Sequence, residues 1–100
     1  MNLFGSKLRK LRETQGLLLR QVAAYLETDT AYISKLEHGE RRAKREQVLH
    51  LATILKINPD ELLALWLADQ LFCILQNEKL ALDAMQIVEM EYQKMNNERF

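Results

Sequence analysis

One cysteine, one proline and three glycines among 100 residues exclude several kinds of protein together. The lone Cys73 permits no disulfide within the chain and no cysteine-built metal cluster, and a reduced, cytoplasmic setting is the expectation. So few turn-forming residues leave little room for a sandwich or barrel. With leucine abundant and β-branched residues scarce, an all-α chain is expected. The densest apolar stretch, Leu62 to Leu75, is interrupted by Asp69 and Gln70 and is too short to span a bilayer, so no membrane partner is expected. The opening MNLFGSKLRKLRE turns amphipathic at once and holds no signal-peptide apolar core. There is no glycine-rich phosphate loop. His38 and His50 lie on different predicted helices and head no HExxH or comparable metal motif. Cys73 sits in an apolar run and reads as core packing rather than as a nucleophile. No enzyme, metal or cofactor is expected.

What is present is apolar residues at 48 % and a polarised charge. The formal net charge is zero, but Met1–Lys56 holds eleven Lys or Arg against six Asp or Glu, and Ile57–Phe100 three against eight. A first half at +5 suits a phosphate-facing surface, and a second half at −5 does not. The competing reading is ordinary variation between solvated helix faces.

Apolar spacing predicts the helices in turn. Phe4, Leu8 and Leu11 mark a helix from about Leu3 to Thr14, stopped by Gly16. A second runs from about Leu19 to Leu26. Glu27 and Thr28 form a turn, and Asp29 caps a third helix from Thr30 to about His38, stopped by Gly39. After the basic loop from Glu40 to Arg45, Val48, Leu51, Ala52 and Leu55 mark a fourth. Asn58 caps and Pro59 opens a fifth, DELLALWLADQLFCILQ, which is apolar on more than one face. Asn77 and Glu78 break it. A last helix carries Leu80, Ala84, Ile87, Val88 and Met95 to about Met95, with Asn96–Phe100 frayed.

Residues Leu17–Gly39 therefore read as two short helices joined by a tight turn. Val22, Ala23, Leu26, Ile33 and Leu36 lock them together, and Ala23 is small where they must cross. That is the arrangement of a DNA-binding helix-turn-helix, whose second helix enters the major groove. With LRKLRETQGL (8–17), KLEHGER (35–41) and LATILKINPDELL (51–63) added in order and without gaps, residues Phe4–Leu63 resemble the lambda-repressor-like helix-turn-helix family of the Xre/Cro type.

The resemblance implies a five-helix DNA-binding domain over residues 1–65. Arg12 and Glu37 stand where the family places an ion pair between its first and third helices. Thr30, Ala31, Tyr32 and Lys35 would face the groove, while Ile33 and Leu36 face the core. Each base-reading candidate has suitable chemistry: methyl groups for thymine, hydroxyls that donate or accept, an ammonium for guanine. Tyr32 has a second reading, stacking on the sugar-phosphate backbone. Phosphate contacts would come from Arg20, Ser34, Arg41, Arg42, Lys44 and Arg45. The plain alternative is a solvated helix face and loop. Two positions depart from the family. Leu19 replaces a common phosphate-binding Gln, which shifts that contact to Arg20. Glu27 replaces a turn glycine, and a left-handed Glu27 would cost on the order of 1 kcal/mol.

Residues 66–100 form a C-terminal helical extension. Trp66, Leu67, Leu71, Phe72, Leu75, Ile87 and Val88 are the expected dimerisation residues, because these apolar groups exceed what a lone helix can hide. The expectation is a split, in which part of this apolar surface closes the monomer core and part forms a two-fold interface with the last helix; the competing reading is that all of it completes one monomer's core. A homodimer would read an inverted-repeat operator in double-stranded DNA, with half-sites about 34 Å apart. The expected function is a sequence-specific transcriptional regulator, autoregulatory or controlling a restriction–modification or methyltransferase cluster. The alternative is an antitoxin-type protein whose C-terminal helices bind a protein partner, with DNA binding secondary.

Overall fold

The computed structural model describes residues 1–98. Six helices follow in order: α1 Leu3–Thr14, α2 Leu19–Tyr25, α3 Thr30–Glu37, α4 Arg45–Ile54, α5 Pro59–Leu75 and α6 Ala81–Glu98. There is no strand among the described residues. The expected helices are all present. Most boundaries agree within a residue, with Leu80 lying just before the last helix; that helix continues through Asn96 and Asn97 to Glu98 instead of fraying after Met95. The remainder of the expected frayed tail, Arg99 and Phe100, lies outside the described residues. No helix among the described residues is long and apolar enough to cross a membrane.

Local chemistry fixes where the helices begin. Asn2 accepts from the Gly5 N–H, Asp29 from the Tyr32 N–H and Asn58 from the Asp60 N–H, each satisfying a donor with no partner inside its helix. Helices α2 and α4 use another device. Their N-caps, Leu18 and Lys44, offer no acceptor, and Gln21 and Gln47 three residues on reach back to the cap N–H.

The first four helices share one type of stop. In each, an N–H bonds a carbonyl five residues back: Leu17 to Arg12, Thr28 to Ala23, Glu40 to Lys35 and Ile57 to Ala52. This bond closes only when the preceding residue is left-handed. Gly16 and Gly39 take that conformation at φ +69° and +77°. Glu27 and Lys56 take it at φ 57° and 56° despite their side chains.

The core is built from α1 to α5. Leu8, Val22, Ile33, Leu36, Val48, Leu51, Leu55 and Leu62 are fully enclosed. Gly5 sets the approach of α1 to the end of α3. A Cβ there would lie 2.5 Å from the carbonyl oxygens of Leu36 and Glu37, and backbone cannot move aside as a side-chain tip can. Asn2 crosses the same junction, donating from Nδ2 to the Glu37 carbonyl at 2.9 Å.

Helix α5 runs unbroken past Leu65, and its middle is tied to the N-terminal helices. Asp69 accepts from the Leu3 and Phe4 N–H groups at 3.0 and 2.9 Å, so α5 caps the start of α1. Beyond that the chain is sparsely packed, and α6 has no buried residue. Cys73, expected in the core, is exposed instead. The helix that carries it turns that face toward an open groove beside the α3–α4 loop.

Candidate nucleic-acid interface

Helix α3 presents two faces of different character. Ile33 and Leu36 are buried beneath it. Thr30, Ala31 and Lys35 are exposed on the opposite side, and Tyr32 and Ser34 are half-buried at its flanks. A helix with its inward stripe locked and a small, polar outward stripe can enter a major groove without exposing core. Its start is held by Asp29 Oδ1, which accepts from the Tyr32 N–H at 2.8 Å.

Arg12 and Glu37 fix α3 against α1. Arg12 Nε donates to Glu37 Oε2 at 2.7 Å, and Nη2 donates to Oε1 at 3.1 Å. Nη1 donates to the Leu17 carbonyl at 3.1 Å, which ties the pair to the entry of α2. The two side chains are only 14 % and 4 % exposed. The hydrogen bonds that Arg12 donates to the Glu37 carboxylate raise its pKa above the ordinary value, with burial opposing them less strongly. Three of the five N–H donors of this guanidinium are committed to the fold.

The remaining cations are placed differently. Arg41, Arg42, Lys44 and Arg45 are exposed on the loop that follows α3 and at the start of α4. Arg20 is exposed at the start of α2. Among the described residues none of these five forms an ion pair, whereas Lys7, Arg9, Arg12 and Lys94 do. The loop itself is pinned by Ala43, which is buried in the core. Ser34 lies beside His38, whose Nδ1–H donates to the Ser34 carbonyl at 2.7 Å.

Two expected site residues are already engaged within the chain. The Tyr32 hydroxyl donates to Gln47 Oε1 at 2.9 Å, and the Arg41 guanidinium carbon lies 5.9 Å from the Tyr32 ring centroid. Trp66, expected in a dimer interface, is half-buried and makes a contact within the chain: its Nε1–H donates to the Ala43 carbonyl at 2.9 Å. The Arg45 guanidinium carbon lies 5.5 Å from the Trp66 ring centroid. Sequence reasoning missed Gln47 as a partner of Tyr32, although a Gln three residues into a helix is a legible capping signal. It also missed the tie from Trp66 to the loop, for which no local signal exists.

The other expected assembly residues face outward. Leu67, Leu71, Phe72, Ile87 and Val88 are exposed, and Leu75 is half-buried.

A family model described as a helix-turn-helix domain matches residues 3–66. Over 65 residues the chain is 38 % identical to RghRB of Bacillus subtilis (strain 168), an uncharacterized HTH-type transcriptional regulator. That match covers 64 % of this chain and 47 % of RghRB, so it spans about half the length of that relative. The fold is similar to the crystal structure of the restriction-modification controller protein C.AhdI from Aeromonas hydrophila, with a TM-score of 0.57 and 38 % identity. That similarity covers 61 % of this chain and 92 % of C.AhdI.

Proposed function

This chain belongs to the helix-turn-helix domain family, and we propose that it is a cytoplasmic, sequence-specific DNA-binding transcriptional regulator rather than an enzyme. In this reading α3 lies in the major groove. Thr30, Ala31 and Lys35 meet base edges, with Tyr32 at the margin of the groove. Arg20, Ser34, Arg41, Arg42, Lys44 and Arg45 hold the flanking phosphates and set the register. The observation that carries the proposal is the exposed α3 face bordered by five cations with no carboxylate partner among the described residues. Similarity to C.AhdI supports a controller type of regulator, acting on a gene cluster that includes restriction–modification functions.

Residues 1–65 carry the DNA contacts and residues 66–100 assemble two copies. Leu67, Leu71, Phe72, Ile87 and Val88 supply apolar surface for a homodimer, and the pair reads an inverted repeat. The acidic balance of Ile57–Phe100 suits a segment held away from phosphates.

Binding to a mixed-sequence duplex over a range of salt concentrations tests the phosphate surface. The logarithm of the binding constant should fall linearly with the logarithm of salt, by about 0.9 per phosphate contact. Absence of duplex binding by the folded chain, or binding indifferent to salt, would contradict the proposal.

A further inference from the structure

The geometry points to Trp66 as a positioning residue for the phosphate-contact loop, acting through Arg45 and Ala43 while touching no DNA itself. This inference rests on the DNA-binding reading above and adds to it a role for α5, which lies behind the interface.

Four observations support it. Trp66 is half-buried against the core, on a helix anchored to α1 through Asp69, so its ring is a fixed surface. Its indole N–H reaches across 23 residues of sequence to the Ala43 carbonyl, which fixes the loop backbone between the two pairs of basic residues. Its face carries Arg45 at cation–π distance. Tyr32 repeats the device on the other side of Ala43. Its ring carries Arg41, while its hydroxyl shares Gln47 Oε1 with the Lys44 N–H, 2.9 Å away in each case.

The chemistry explains why this arrangement serves binding. A guanidinium is planar, and an aromatic ring occupies its face. Its five N–H donors lie in the plane and point outward along the edge. An arginine held over a ring in a cation–π contact leaves N–H donors for a phosphate, and the contact restricts its rotamers before DNA arrives. Ordering one such side chain on binding ordinarily weakens affinity by roughly two- to tenfold. A platform that orders it beforehand removes that loss. An ammonium has no flat face to match the ring, so lysine would not substitute at this position.

The test uses the full chain and a mixed-sequence DNA duplex, with binding measured over a range of salt concentrations. Trp66→Leu should weaken binding by about two- to tenfold and leave the salt slope unchanged, since every cation is still present. In an Arg45→Ala background the same substitution should have a smaller effect, because only its hold on the loop backbone at Ala43 remains. Arg45→Lys leaves Trp66 and the core intact, so folding is not at issue. It should also weaken binding while keeping the slope. Equal losses from Trp66→Leu in both backgrounds would mark a general structural role and overturn the inference, as would undiminished binding by Arg45→Lys. If the wild-type chain does not bind the duplex, the DNA-binding reading itself fails. If it binds and these variants match it, only the role of Trp66 fails.

Discussion

At the scale of single residues, several side chains stabilise or strain the fold according to what surrounds them. Glu37 is 4 % exposed and has one cationic partner. Removing that partner leaves a desolvated charge, so Arg12→Ala should destabilise the fold by about 3–5 kcal/mol in denaturant unfolding, and DNA binding should fall with it. Normal stability with lost binding would make Arg12 a DNA contact instead. The pH dependence has a definite sign. Because Glu37 raises the Arg12 pKa, the contribution is complete below arginine's ordinary value and is lost only as pH rises through the raised one. Arg12 therefore adds no slope to stability through neutral pH. Glu27 is the opposite case, an exposed residue at φ 57° with nothing to pack against. Glu27→Gly should raise stability by about 1 kcal/mol, read as a higher denaturation midpoint; an unchanged or lower midpoint would remove strain from the description of this turn. The position of Glu27 was legible, since the family resemblance implies a turn glycine there. Gly5 was not: the sequence around it reads as ordinary helix, and only the crossing of α1 over the α3 carbonyls shows why a side chain cannot fit.

At the scale of elements, the helices were legible because each carries its own stop and start within a few residues. Gly16, Gly39, Asp29 and Asn58 act locally, and the apolar spacing of 3.6 residues marks the inward faces. The same locality explains what was missed. Asp69 caps α1 from 66 residues away, and Trp66 reaches Ala43 across 23 residues. Both lie on one face of α5, whose apolar residues spread around the helix and hide which side turns inward. Asp69→Ala should uncap α1 and cost about 1 kcal/mol, with hydrogen exchange quickening first at the Leu3 and Phe4 amides. Unaltered protection there would show that α1 holds its first turn without α5. Cys73 illustrates the same ambiguity from the other side: an apolar neighbourhood in sequence became an exposed position in space.

At the scale of the whole molecule, the described structure divides its labour along the chain. Helices α1 to α4 and the first half of α5 make a packed body that leaves the outer stripe of α3 and the cations of the following loop exposed. The rest of α5 and α6 expose apolar side chains that one copy leaves uncovered. The fold and the exposed stripe of α3 were readable from sequence because the helix-turn-helix spacing is local and ordered. The preorganised loop was not, because it depends on a ring brought in by tertiary packing. The measurement that reaches the central claim most directly is selection of binding sites from a random duplex pool by the full chain, with Ala31→Asp run in parallel. The account predicts an enriched inverted repeat with half-site centres about one helical turn apart, lost in the variant because a carboxylate would then face the groove. A folded wild-type chain that enriches no sequence, or a variant that enriches the same one, would contradict the placement of α3 in the major groove.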